Sequence, residues 1–279
     1  MGDELEGEKG MAYETLEIRR EDSILWLTLN RPHVLNALSA RMSEELEHFL
    51  ATLRDDQKTR VVILRGAGRA FCAGLDLKEQ NRGGPEALGH TTTAVYESQR
   101  RMSDLTVAIR RAPQPFIAAI KGPAAGGGFA LALACDCRIA GESARMNAAF
   151  IRIGLTACDM GVSYMLPRAV GSSVAYELLL TGRFINGQRA LATGLVSELV
   201  PDSEVDAAAA KLAHDMIETS PLGLRLTKEC LSMSIDAPSL EAAVAMEDRN
   251  QVLCVRAGYI DEGARAFVEK RKPKYAERA

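Results

Sequence analysis

Two glycine-containing turns each follow an apolar, β-like run, and their backbone N–H groups are suited to binding a negatively charged oxygen. The turn Ala73-Gly74 follows residues 61–65, and the triplet Gly126-Gly127-Gly128 follows residues 116–121. Glycine leaves room for a ligand to approach the backbone. An alanine-rich helical pattern follows the triplet, and a helix start adds unpaired N–H donors and the positive end of the helix dipole. Such donors stabilise an oxygen that gains charge during a reaction.

The two turns predict a pair of donors that act on one atom. Each strand end would present one N–H group, and we select those of Leu75 and Gly127 as the two donors of an oxyanion hole. Taken singly, either glycine loop is equally well explained as a tight strand-to-helix turn. The prediction therefore depends on the presence of both loops.

Five segments of the chain are similar to segments of the crotonase family, also called the enoyl-CoA hydratase/isomerase family. They are residues 71–79 (FCAGLDLKE), 117–136, 166–171, 180–196 and 266–272, and they occur in unbroken order between residues 14 and 275. The resemblance implies an α/β fold, the ClpP-like crotonase spiral of ββα repeats. It also implies a helical C-terminal region that covers the active site and carries the contacts of a homotrimer or a dimer of trimers.

The resemblance further implies that the substrate is an acyl-CoA or enoyl-CoA thioester. CoA would then enter as part of the substrate, so no cofactor and no metal are expected. Hydratases of this family use two carboxylates, which here would stand at Ala130 and Phe150. Neither alanine nor phenylalanine can move a proton. The chain is therefore expected to hydrate enoyl-CoA poorly.

One carboxylate, Asp159, remains near these positions among small and apolar residues. It coincides with an aspartate that serves as acid/base in the dienoyl-CoA isomerases and as nucleophile in the 4-chlorobenzoyl-CoA dehalogenases. Neither branch matches fully, because the isomerases have two further carboxylates and the dehalogenases have a histidine on the long helix. An N-cap for the following helix is the non-catalytic alternative.

Further substrate contacts follow from the resemblance. The predicted substrate-binding residues are Ala73, Gly74, Asp76, Lys78, Gly126, Gly128, Phe150 and Lys270. Asp76 is also a candidate helix cap, and Lys78 could face either the CoA phosphates or solvent. His90, in a polar loop region, is a further candidate for contact with the ligand, and only its position in that loop supports it.

The elements that must position these residues can be traced from hydrophobic periodicity. Strands are predicted at residues 14–20, 23–30, 60–65, 116–121 and 137–140, and helices at 39–53, 91–111 and after Gly128. Beyond residue 202 the pattern is helical, at 203–219, 222–232, 239–255 and 259–270. We accordingly divide the chain into a disordered leader (1–12), a spiral core (13–201) and a helical C-terminal region (202–279).

Composition restricts the classes of function. The chain has 279 residues, 47% of them hydrophobic and 25% charged, and a net charge of −3. This charge offers no basic surface for nucleic acid, and no apolar run is long enough to span a membrane. Six scattered cysteines without zinc-site spacing indicate reduced thiols in a cytoplasmic protein.

These observations favour an acyl-CoA enzyme that stabilises an enolate between two N–H groups. A single carboxylate favours an isomerase-like proton shift over addition of water. Two alternatives stay open. One is an acyl-CoA hydrolase or dehalogenase in which Asp159 attacks the substrate, and the other is a protein that binds CoA esters without turning them over.

Overall fold

The computed structural model describes residues 12–81 and 91–275. Within them, nine strands form two sheets. In chain order they are β1 (Leu16–Glu21), β2 (Ile24–Leu29), β3 (Val61–Gly66), β4 (Phe116–Ile120), β5 (Pro123–Ala125), β6 (Cys137–Gly141), β7 (Arg145–Asn147), β8 (Ile185–Asn186) and β9 (Glu198–Val200). The predicted leader falls almost wholly outside the described residues, as does His90.

The larger sheet has the strand order β1-β2-β3-β4-β6-β9. Only β1 and β2 pair antiparallel, and the remaining neighbours are parallel. The smaller sheet has the order β5-β7-β8. Strands β5 and β7 each follow a strand of the larger sheet after a short turn, which gives the repeated strand-strand-helix pattern expected from the sequence.

Eleven α-helices lie in the described part of the chain. They are α1 (Ala40–Thr52), α2 (Leu77–Asn81), α3 (Thr92–Arg111), α4 (Gly127–Ala134), α5 (Val162–Val170), α6 (Ser172–Thr181), α7 (Gly187–Ala192), α8 (Val205–Ile217), α9 (Pro221–Ser234), α10 (Leu240–Arg256) and α11 (Tyr259–Val268). Side-chain N-caps begin several of them as the sequence suggests: Ser39 accepts from the Met42 N–H, and Thr91 from the Ala94 N–H.

The central strands are mostly apolar and largely buried because both faces of the sheet are covered. In β2, Leu25 and Leu27 join the core that includes α1, α3 and α4. Ile24 and Trp26 point to the other face, where Val205 of α8 packs. Strands β3 and β4 therefore lie in a largely buried layer, and the chain reaches the first glycine turn after β3 and the glycine triplet directly after β5.

The helical C-terminal region is confirmed, since no strand follows β9 in the described residues. Four short strands, β5, β7, β8 and β9, were not predicted from the sequence. They have only two or three residues each, which is too short for a period-two pattern to be recognised. The division into leader, core and C-terminal region stays a prediction.

Candidate active site

The two glycine loops, α3 and residues 149–160 enclose a cavity of about 260 Å³. It is lined by Ala73, Gly74, Leu75, Leu77, Val95, Ser98, Gln99, Met102, Gly126, Gly127, Ala149, Phe150, Ile153, Leu155, Asp159 and Met160. The cavity therefore brings together all three predicted catalytic residues and four of the predicted substrate contacts. Most of its wall is apolar.

The first glycine loop is held by a bridge between Leu38 and Leu75. The Leu38 N–H donates to the Gly74 carbonyl at 2.7 Å, and the Asp76 N–H donates to the Leu38 carbonyl at 3.0 Å. Because the two neighbours of Leu75 make these bonds, its own N–H points away from Leu38. Within the described residues that N–H has no hydrogen-bond acceptor, so it is available to a ligand.

The second loop is fixed by bonds on either side of Gly127. The Gly126 N–H donates to the Asn147 carbonyl at 2.9 Å, and the Ala130 N–H donates to the Gly126 carbonyl at 3.0 Å. Gly126 has φ 52° and ψ −120°, a conformation that glycine adopts and other residues avoid. Gly127 is the first residue of α4, and in the part of the chain that is described its N–H is likewise without an acceptor.

The two donor loops are in direct contact. A Cβ placed on Gly74 would lie 2.7 Å from the Ala125 carbonyl oxygen and 3.5 Å from the Gly127 nitrogen. This approach is possible only because residue 74 has no side chain, and its φ of +91° also requires glycine. The unoccupied N–H groups of Leu75 and Gly127 thus lie on neighbouring loops that line one cavity.

Asp159 is positioned by bonds to both its own loop and α3. Its Oδ1 atom accepts from the Met160 N–H at 2.7 Å and from Gln99 Nε2 at 2.5 Å. The predicted helix-cap role is wrong. Helix α5 begins at Val162 with Gly161 as its N-cap residue, and no side chain caps it. Among the described residues that line the cavity, Asp159 is the only titratable one.

The two positions of the missing hydratase carboxylates differ in their surroundings. Phe150 lies in a short 3₁₀ helix (Ala149–Ile153) and contributes to the cavity wall. Ala130 is fully buried in α4 and is not among the residues that line the cavity. The structure therefore places an aromatic ring at one of these positions and a methyl group inside the protein at the other.

Four predicted substrate contacts lie away from this cavity: Asp76, Lys78, Gly128 and Lys270. Gly128 packs on Cys72 so closely that a Cβ would lie 2.2 Å from the Cys72 carbonyl oxygen. Lys78 is exposed on α2. Lys270 follows α11 with φ 52°. For Gly128, close packing of α4 is thus sufficient to explain why residue 128 is glycine.

Asp76 lines a neighbouring cavity of about 310 Å³, which shares Leu75, Ser98 and Met102 with the first. Its Oδ1 accepts from the N–H groups of Lys78 and Glu79 at 3.2 Å each, at the start of α2. Burial raises the pKa of Asp76, but the Glu79 N–H and Arg31 outweigh it and hold that pKa below its usual range. The alternative interpretation of Asp76 as a helix cap agrees with these bonds.

The contribution of α3 to the cavity was missed from the sequence. Val95, Gln99 and Met102 lie on one face of this helix at spacings of four and three residues. Such spacing could have identified this face of α3. However, the half of α3 that lines the cavity carries many polar residues, so the sequence did not indicate that this helix contacts a site.

Two buried cysteines and Asp136 carry reactive groups but have structural roles. Burial raises the pKa of both Cys72 and Cys135 to about 12, so neither thiol is a nucleophile near neutral pH. Asp136 has structural partners: its Oδ2 accepts from the Phe116 N–H and pairs with Lys228, both at 2.8 Å. Residues 12–81 and 91–275 contain no group of three potential metal ligands. No helix in these ranges has the length and apolar character needed to cross a membrane.

Comparisons with known proteins agree with this geometry. A family model described as enoyl-CoA hydratase/isomerase matches residues 19–278. A Mycobacterium tuberculosis H37Rv protein named "Probable enoyl-CoA hydratase EchA12" is 40% identical over 257 residues, covering 91% of this chain and 90% of its own. The 1,2-epoxyphenylacetyl-CoA isomerase of Escherichia coli K12 is 33% identical over 255 residues, with 91% and 95% covered. A crystal structure of an enoyl-CoA hydratase from Bacillus anthracis superposes with a TM-score of 0.88 at 35% identity, covering 95% of this chain and 100% of that one.

Proposed function

Because the chain belongs to the enoyl-CoA hydratase/isomerase family, we propose that it binds an enoyl-CoA thioester and shifts a proton along the acyl chain. One observation carries this proposal. Two free N–H groups, of Leu75 and Gly127, and one titratable side chain, Asp159, line the same small cavity. An oxyanion hole and one base are the fewest groups that can catalyse the movement of a double bond near a thioester.

The proposed reaction begins when the thioester oxygen accepts hydrogen bonds from Leu75 and Gly127. Asp159 removes a proton from the carbon next to the carbonyl, and the electrons of that C–H bond move into the enolate. The same carboxyl group then returns the proton two carbons further along, so the double bond moves by one position and no atom is gained or lost. Each backbone donor is expected to contribute about 3 kcal/mol of transition-state stabilisation.

The cavity favours this proton shift over hydration. Addition of water requires one group to activate the water and a second to protonate the carbon. Phe150 and Ala130 supply neither, and the cavity wall has no other titratable group in the described residues. The names of the relatives include both a hydratase and an isomerase, so the choice rests on the residues of the cavity.

Attack by Asp159 is the second candidate, since its Oδ2 atom has no hydrogen-bond partner among the described residues. A nucleophilic carboxylate would form an ester or anhydride with the substrate, as the hydrolase or dehalogenase alternative requires. Mass spectrometry of the quenched protein separates the two. A covalent adduct on Asp159 favours attack, and its absence together with α-proton exchange favours the base.

The remaining predictions concern the binding of the CoA moiety and the quaternary structure. Ala73, Gly74, Gly126 and Phe150 would contact the thioester end of the substrate, whereas Lys78 and Lys270 would meet the CoA phosphates. No cofactor is needed by these steps. Several large apolar side chains on the C-terminal helices are exposed, including Leu240 (75%), Phe267 (86%) and Val268 (79%). This surface supports a homotrimer or a dimer of trimers, and the free thiols are compatible with a cytoplasmic location.

The test uses a matched pair at Gly127. Gly127→Ala and Gly127→Pro both add carbon near Leu38 Cδ1, which an added Cβ would approach to 2.8 Å. Only proline removes the N–H donor. Isothermal titration with a panel of acyl-CoA thioesters, and deuterium incorporation at the acyl α and γ carbons, should show Gly127→Pro impaired at least about 100-fold beyond Gly127→Ala. Equal behaviour of the two variants would exclude this donor.

A further inference from the structure

Gln99 and Asp159 form a hydrogen bond between residues that are 60 positions apart in the chain. Gln99 Nε2 lies 2.5 Å from Asp159 Oδ1, and the Met160 N–H donates to the same oxygen from 2.7 Å. Both donors therefore act on one oxygen of the carboxylate. The other oxygen, Oδ2, accepts no hydrogen bond from any described residue.

The loop that carries Asp159 is tied to α3 at a second point. Thr106 Oγ1, seven residues after Gln99 on the same helix, donates to the Met160 carbonyl at 3.0 Å. Met160 itself has φ +48°, a left-handed conformation that is unfavourable for a residue with a long side chain. Two bonds from one helix thus hold a strained loop, and Gln99 is the one that reaches the carboxylate.

An amide suits this task because it donates a hydrogen bond without bringing a charge. A hydrogen bond to the charged form of a carboxylate favours that form, yet a neutral donor does not neutralise the carboxylate as an arginine or lysine would. Gln99 also lines the cavity, so it fixes Asp159 from the side on which the substrate would lie.

We propose that Gln99 is a positioning residue, which holds Oδ1 of Asp159 so that Oδ2 is the atom that takes the proton from the acyl chain. The proposal rests on the proposed proton shift. Gln99 itself transfers no proton in this reaction. Its amide sets the plane of the carboxylate, and the Met160 N–H alone would leave that plane free to turn.

Three variants test the proposal in the full chain. Gln99→Met keeps the length of the side chain and removes the donor, and Gln99→Glu places a second carboxylate beside the first. Glu97→Gln is the matched control, because Glu97 is exposed on the same helix and does not line the cavity. Thermal unfolding and acyl-CoA binding by calorimetry establish that each variant folds and binds.

The readout is deuterium exchange at the acyl α carbon, with its rate constant and KM measured separately. Gln99→Met should lose about 10-fold in the rate constant and keep KM within about 2-fold, because substrate binding does not depend on the orientation of Asp159. Gln99→Glu should lose at least as much in the rate constant, since an ionised carboxylate donates no hydrogen bond to Asp159. Glu97→Gln should match the wild type.

Two results would overturn the proposal, and they are distinguishable from failure of the proposed function. A Gln99→Met variant with the wild-type rate constant would exclude any role for the amide. A variant that loses thermal stability and substrate binding together with the rate would show that Gln99 only holds the loop in place. If the wild type itself shows no exchange that depends on Asp159, as judged by Asp159→Asn, the proposed function fails and this inference fails with it.

Discussion

Arg31 pairs with Asp76 through a 2.9 Å contact between Nη1 and Oδ2, and the same nitrogen donates to the Ala37 carbonyl at 2.7 Å. Both side chains are largely buried, with 17% and 9% exposed. Asp76 follows Leu75 directly, and Leu38 bonds to both neighbours of Leu75. Arg31 therefore links Asp76, in the first glycine loop, to Ala37, which precedes the residue that orients this loop.

Arg31→Met should weaken both stability and thioester binding. Loss of the guanidinium leaves Asp76 Oδ2 and the Ala37 carbonyl without their donor in a largely buried place, which costs about 1–3 kcal/mol. Urea denaturation measures this loss, and calorimetry with an acyl-CoA measures the binding. Arg54→Met, which changes an exposed arginine, should stay within about 0.5 kcal/mol of the wild type. Equal stability of the two variants would show that Arg31 does not stabilise the first glycine loop.

Glu45 predicts a pH dependence of folding. Its side chain has no exposed surface and accepts from the Glu14 N–H, the Thr15 N–H and the Thr15 hydroxyl at 2.6–2.9 Å. Burial raises the pKa of Glu45, but these bonds and Arg41 outweigh it, so the pKa lies below its usual value. A lowered carboxyl pKa contributes stability that is present above the unfolded value of about 4.3 and is lost as pH falls through the folded value.

Glu45→Gln should therefore reduce the free energy of unfolding by about 1–3 kcal/mol at pH 7, and the difference from wild type should shrink as pH falls below about 4. Urea titrations at both pH values measure this. Glu47→Gln, at an exposed position of the same helix, provides the control and should change little. A difference that is constant with pH would mean that the ionised form of Glu45 gives no stability.

Two helical glycines allow a test of close packing. An alanine at position 128 would place Cβ 2.2 Å from the Cys72 carbonyl oxygen, whereas an alanine at 263 would meet only the Tyr275 hydroxyl, at 3.1 Å and on a side chain that can move. Gly128→Ala should destabilise by at least about 1–3 kcal/mol. Gly263→Ala should stay within about 1 kcal/mol, because alanine favours helix. Thermal unfolding compares them, and equal midpoints would show that α4 can move away from Cys72.

Most of the fold could be predicted because its patterns are local. The β2 run Ile24–Leu29 is apolar except for the buried Thr28, as expected of a strand covered on both faces. The C-terminal helices have about three to five turns each and a clear period. The two glycine turns could also be located from the sequence, because each follows a strand; the role of Leu75 and Gly127 as donors stays a prediction.

What escaped prediction depends on contacts between distant segments. Gln99 has no unusual neighbours in sequence, and only the fold brings it to Asp159. Gly128 belongs to the same triplet as Gly127, yet it packs on Cys72. The alternative role of Asp159 as a helix N-cap is wrong because Met160 and Gly161 both have positive φ. They turn the chain before α5 begins, and the carboxylate bonds to the Met160 N–H instead.

Asp159→Asn should leave folding and acyl-CoA binding unchanged while reducing turnover by at least about 100-fold. The asparagine oxygen can still accept from Gln99 and the Met160 N–H, so the loop keeps its bonds. An amide can neither accept the proton nor act as a carboxylate nucleophile. Proton exchange and product formation are followed with the best thioester of the panel. Full activity would move the search for the base elsewhere, first to Glu79 and His90.

Hydration of crotonyl-CoA should be at least about 100-fold slower than that of a family member with both carboxylates, assayed in parallel. Phe150→Glu would put one carboxylate on the cavity wall and should raise the rate only modestly, because the second group is still missing. Phe150→Gln is its control, of similar size but without an acid. Ala130→Glu should instead destabilise the protein, since Ala130 is fully buried in α4 and an unpaired carboxylate there would have no solvent. A fast hydratase rate in the unmodified protein would mean that water is activated without either carboxylate, and the preference for a proton shift would be wrong.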